Sequence, residues 1–151
     1  MNATRPPSLS SNLAAAEQLC AQRGARLTTL RRRVLELVWG SEKPLGAYDI
    51  LAVLSEADRR RAAPPTVYRA LGFLLDNGLV HRIASLNAFI GCSHPPHHHA
   101  GQFFICRNCH SVMEMEQGSI HQAIAAAAQS FSFAIEQQTV EVSGLCATCR
   151  A

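Results

Sequence analysis

PPTVYRALGFLLDNGLVHRIASLNAFIGC, residues 64–92, decides how the first half of this chain folds. Pro64 and Pro65 stop the segment before them. Thr66 is placed to cap a helix on which Val67, Ala70, Leu71 and Leu74 recur at i, i+3, i+4 and i+7. That spacing makes one buried stripe and leaves Tyr68, Arg69 and Gly72 on the opposite side. Asn77-Gly78 supplies a left-handed exit. Two strand-like runs then follow, residues 79–83 and 87–90, joined by Ala-Ser-Leu. A helix followed by such a hairpin is the second half of a winged helix-turn-helix.

Upstream, the chain reads as helices that would complete that unit. Residues 47–57 bury Ile50, Leu51, Val53 and Leu54. Thr28 or Thr29 caps a helix ended by Gly40, with Leu30, Val34, Leu37 and Val38 as its apolar stripe and Arg31, Arg32 and Arg33 largely outside it. Asn12 is placed to cap a further helix through about residue 23, with Gly24 as its stop. Residues 1–11, with two prolines and small polar residues, read as a tail. In a winged helix the helix after the turn enters the major groove, and residues near its N-terminus meet base edges. Thr66, Tyr68 and Arg69 occupy that end. An arginine can bond guanine in two places, and a tyrosine can pack on a thymine methyl or bond a phosphate. Arg59, Arg60 and Arg61, just before the helix, are candidate phosphate contacts.

Downstream the chemistry changes. Five of the six cysteines and six of the seven histidines lie beyond residue 90, whereas the arginines cluster in the first half. CRNC at 106–109 and CATC at 146–149 are two Cys-x-x-Cys knuckles. Each knuckle brings two thiolates to one ion, and Cys106, Cys109, Cys146 and Cys149 together describe structural zinc with no open position. The segment between them reads as a hairpin around the first knuckle (102–105 and 111–116), a helix over 119–129, and a strand within 131–142 with Val140 and Val142 on one face. His81, Cys92, His99 and Glu114 are candidate ligands of a second zinc: two imidazoles, one thiolate and one carboxylate. Each also has an ordinary reading, as a strand histidine, a buried small hydrophobe or a solvated strand residue.

Composition bounds the rest. The 151 residues, 48% of them apolar, support a real core, and the net charge of +3 is mild. No run approaches the ~18 apolar residues of a membrane span. The opening MNATRPPSLSSN has no apolar h-region, so a cytoplasmic protein with reduced cysteines is expected. A zinc deaminase would need H-x-E ahead of P-C-x-x-C, and no H-x-E occurs, so no enzyme is expected.

The segments RLTTLRRRVLELV, PPTVYRALGFLLDNGLVHRI, HHHAGQFFICRNC and GLCATC, in this order, resemble the ferric uptake regulator family, and within it the zinc uptake regulators. The likeness runs from about Cys20 to Cys149. It implies an α+β chain: a winged-helix DNA-binding domain over 12–92, a hinge over 93–101, and a small α/β dimerisation domain over 102–151. It implies a homodimeric repressor of zinc uptake and homeostasis genes that binds double-stranded operator DNA and about two zinc ions per subunit. Carried over by position, Cys106, Cys109, Cys146 and Cys149 match the structural site, and His81, Cys92, His99 and Glu114 match the regulatory site. Tyr48 and Arg69 match base-contacting positions. Two departures stand out. Thr29 replaces a common proline. The His-His-Asp-His run of iron-sensing members is His97-His98-His99-Ala100 here, which with the Cys92 thiolate favours zinc over an iron or peroxide sensor.

Overall fold

The computed structural model describes residues 9–57, 63–93, 95 and 99–151. Residues 1–8 of the expected tail, the triplet Arg59, Arg60 and Arg61, and His94, His97 and His98 lie outside the described residues. The chain divides into two compact units, Met1–Pro96 and His97–Ala151.

The first unit runs α1 (Leu9–Gln22), α2 (Thr29–Gly40), α3 (Ala47–Ala57), α4 (Pro64–Asp76), β1 (Val80–Ile83) and β2 (Ala88–Gly91). Its core is one cluster that includes Leu13, Ala16 and Cys20 of α1, Val34, Leu35 and Val38 of α2, and Ile50 and Leu54 of α3. Val67, Ala70, Leu71 and Leu74 of α4 complete it, as the helical spacing requires. Fully burying a leucine or valine contributes about 1.5–3 kcal/mol, so this stripe alone fixes the rotation of α4. The strands β1 and β2 pair antiparallel, with His81 opposite Ile90, through a 3-10 turn at Ala84–Leu86 and a left-handed Asn87. Leu45 exchanges both backbone hydrogen bonds with Phe89, at 2.9 and 2.8 Å, tying the α2–α3 link to this wing.

Three details differ from expectation. The helix α1 runs from Leu9, not from a cap at Asn12, and its buried stripe is Leu13, Ala16 and Cys20, with Leu9 exposed. Pro64 and Pro65 start α4 instead of stopping what precedes it, and Thr66 lies inside the helix. Proline suits a first turn, since its φ is already helical and its missing N–H has no partner to lose. On α3 only Ala47, Ile50 and Leu54 are buried, and Val53, on the far side of the turn, is exposed. Thr28 does cap α2, accepting from the Arg31 N–H, and Gly24 and Gly78 take positive φ at the two helix exits.

The second unit runs β3 (Gly101–Cys106), β4 (Val112–Glu114), α5 (Gly118–Ser130), β5 (Thr139–Gly144) and the short α6 (Ala147–Arg150). Its sheet has the order β4-β3-β5, antiparallel on one side of β3 and parallel on the other. This is the hairpin, helix and strand that the spacing predicts. Met113, Phe104 and Val142 stand opposite one another across the three strands, and all three are exposed, as are Phe131, Phe133 and Leu145. The helix α5 buries none of its residues. Among the described residues no helix is long and apolar enough to cross a membrane.

Candidate metal centres and nucleic-acid interface

The two knuckles meet because β3 and β5 are parallel neighbours. Cys106 ends β3 in register with Gly144, and Cys146 lies two residues past that point. The first knuckle turns back through His110, which takes φ +59, and closes with the His110 N–H on the Cys106 carbonyl at 2.9 Å. The second is the start of α6, where the N–H groups of Cys149 and Arg150 both donate to the Cys146 carbonyl. The four Sγ atoms lie within 4.8 Å of one another, and Cys109 Sγ is 3.8 Å from Cys146 Sγ. A tetrahedron of thiolates at ~2.3 Å from zinc has edges of about 3.8 Å, so the donor set fits that ion in both kind and spacing.

The sulfurs are not equivalent. The Cys109 backbone N–H, and after it that of Cys146, lower the Cys106 thiol to about 6. Ser111, through its side chain first and then its backbone, lowers Cys109. The Asn108 side chain pulls Cys149 down, but the Cys146 sulfur, burial and the other two sulfurs outweigh it and push this thiol up to about 11. A thiolate is therefore ready at one corner and a proton is held at another.

The other candidate ligands form a pair within each unit. In the first, His81 lies on β1 and the buried Cys92 just past β2, and their ligand atoms are within 4.8 Å of each other. The Cys92 N–H donates to the Leu79 carbonyl at 3.1 Å, which fixes the backbone from which the thiol projects. In the second, His99 Nε2 lies 2.7 Å from Glu114 Oε1, with Glu114 held opposite Phe103 in the β3–β4 ladder. Each pair sets one imidazole beside a thiol or a carboxylate, donor types that suit a borderline-soft cation.

Tyr68 and Arg69 are exposed near the start of α4, and Thr66 is half-buried one turn earlier. Tyr48, in the first turn of α3, is 67% exposed, so its ring does not belong to the core. The neighbouring Asp49 carboxylate accepts the Gly46 N–H at 2.9 Å and so anchors that turn. Other arginines are engaged within the unit. Arg32 reaches Glu17 and Glu36, and Arg33 also reaches Glu36. Arg31 lies 3.7 Å over the Phe73 ring, and Arg23 donates to the Asn77 carbonyl at 2.6 Å. Two cations thus sit at the C-terminal end of α4, where its carbonyls point and its dipole is negative. Sequence reading missed them: Arg23 and Asn77 are 54 residues apart, and no local spacing signals such a pair.

The model of the ferric uptake regulator family matches residues 22–143. The zinc uptake regulation protein of Escherichia coli K12 is 41% identical over 140 residues, covering 91% of this chain and 80% of that protein. Among solved structures, a zinc uptake regulator complexed with zinc and DNA is 39% identical with a TM-score of 0.91, covering 95% of this chain and 96% of that one. The crystal structure of holo XcZur is 45% identical with a TM-score of 0.85, covering 93% and 97%.

Proposed function

The chain belongs to the ferric uptake regulator family, and from that membership we propose that it is a zinc-responsive repressor that binds operator DNA as a homodimer. The observation that carries the proposal is the Cys92 thiol beside His81 on the wing of the DNA-reading unit. A soft ligand there, outside the tetrathiolate, gives the reader a donor pair suited to zinc more than to iron.

In this reading Cys106, Cys109, Cys146 and Cys149 hold a structural zinc, which supplies the cross-link that closes the second unit. His81 and Cys92 supply two ligands of a regulatory zinc, and His99 and Glu114 supply the other two, giving about two ions per subunit. Two ligands from each unit leave neither half-site complete alone, so metal occupancy and the arrangement of the reader become one equilibrium. Tyr48, Thr66, Tyr68 and Arg69 face the operator, with Arg69 reading a base edge. The exposed row of Met113, Phe104 and Val142 supports pairing of two subunits through the second unit, which sets the spacing of the two reading helices.

The test is zinc stoichiometry and response together. Cys92→Ser is expected to remain a folded dimer, to keep its tetrathiolate zinc and to bind about one zinc where the parent binds about two. It should gain no operator affinity when zinc is added. A Cys92→Ser protein with two zincs and an intact response would remove Cys92 from the sensor. Parallel titrations with iron and manganese separate this reading from an iron or peroxide sensor on the same fold.

A further inference from the structure

We propose that Trp39 is a positioning residue for the Cys92 thiolate, acting through Gly91 and the Leu79 carbonyl; this rests on the reading of Cys92 as a zinc ligand. Three observations within the first unit converge. The Trp39 indole N–H donates to the Leu79 carbonyl at 3.0 Å, and the Cys92 N–H donates to that same oxygen at 3.1 Å. The indole also lies close against Gly91: a Cβ there would stand 2.3 Å from Trp39 Cδ1 and 2.9 Å from Nε1. Leu79 itself follows the left-handed Gly78 and donates to the Leu74 carbonyl at 2.9 Å, so it belongs to the end of the reading helix.

The indole therefore does two things at the residue before the ligand. It fills the space a side chain at 91 would take, holding the Gly91–Cys92 backbone against α2. It shares an acceptor with the Cys92 N–H, so the direction of the Leu79 carbonyl sets both hydrogen bonds at once. Leu79 lies two residues before His81 and immediately ahead of β1, so the shared acceptor orders both ligands of this half-site relative to α4. Trp39 and Cys92 also line one cavity of ≈ 680 Å³ beside α1, which gives a displaced indole somewhere to go without unfolding the bundle.

Gly91→Ala, Trp39→Phe, Cys92→Ser and the parent should be titrated with zinc against a chelator as full-length dimers, with thermal unfolding followed alongside. Groups that orient a metal ligand typically change metal affinity by about 10- to 100-fold when altered, so Gly91→Ala should weaken the regulatory zinc by about tenfold or more. Trp39→Phe keeps a ring but loses one hydrogen bond, and should weaken it by about three- to tenfold. In both variants the tetrathiolate zinc should bind as in the parent, a separation that a general loss of stability would not give. Trp39 is the only tryptophan in the chain, so its emission should shift when the parent takes up its second zinc and stay unchanged in Cys92→Ser. Parental regulatory-zinc affinity in Gly91→Ala and Trp39→Phe, with that zinc lost in Cys92→Ser, overturns the proposal and leaves the sensor reading standing. Retention of two zincs by Cys92→Ser overturns both. Should Gly91→Ala fail to fold, Trp39→Phe and the emission shift decide.

Discussion

Arg69 and Arg31 carry the same charge and face different tasks. Arg69 is exposed near the start of α4, whereas Arg31 lies over the Phe73 ring and donates to the Arg26 carbonyl at 2.8 Å. Arg69→Ala should therefore cost operator binding about 1–3 kcal/mol and relax preference at one base position in each half-site. Binding to random duplex should change far less, and competition assays with operator and scrambled DNA check this. Equal loss on both would make Arg69 a phosphate contact. The distinction between these arginines was only half legible in the sequence. Arg69 falls opposite the stripe of Val67, Ala70 and Leu71, so helical spacing alone exposes it. The engagement of Arg31 depends on how α2 and α4 cross, which no spacing within either helix contains.

At the scale of elements, the knuckles make a prediction about pH. Zinc is bound by thiolates, so every thiol protonated in the metal-free state must release a proton on loading. Cys149, pushed up to about 11, holds its proton throughout the neutral range, and Cys106, lowered to about 6, gains one only below that pH. Apparent affinity for the structural zinc should thus fall as pH falls, by about one decade per pH unit for each proton released. The slope should steepen below about 6, where Cys106 also must be deprotonated. Chelator competition across that range measures it, and an affinity independent of pH would contradict the assignment. The elements themselves were mostly legible, because α2, α3, α4 and the knuckle hairpin each have a local signal. The starts of α1 and α4 were not. An extra turn at Leu9 adds little apolar area, and a Pro-Pro pair serves equally as the end of one segment or the first turn of the next.

Over the whole molecule, the second unit leaves most of its apolar side chains uncovered. Met113 is 63% exposed in a row with Phe104 and Val142, so in one subunit alone Met113→Lys is a surface change worth within about 0.5 kcal/mol. If the row is the face on which two subunits meet, the same change buries an unpaired ammonium, and the protein should become monomeric at concentrations where the parent is dimeric. Light scattering reads the mass, and an unchanged melting curve of the first unit is the control. The open row was not legible as such. The sequence shows Val140 and Val142 alternating on a strand, but not which strand they join, and it was the parallel register with β3 that set Val142 beside Phe104. The pairing of Cys106 with its distant partners was legible for the opposite reason: thiolate spacing announces a ligand set without any knowledge of the sheet.

That parallel register has a further consequence, for the order in which the chain folds. The first unit is assembled from neighbours in sequence, and its core cluster is complete by Phe89. The second cannot form its central ladder until β5 exists, since Gly101 pairs with Thr139 across the whole of β4 and α5. Non-local parallel pairing must meet loop-closure entropy before any contact rewards it, and is slow for that reason. On a ribosome adding about 5–20 residues per second, the reader would be structured while the knuckle at Cys106 still waits for its counterpart. Through that interval the nascent chain presents two thiols whose partner thiols are not yet made, and a tetrathiolate site can close only once Cys146 and Cys149 have been added.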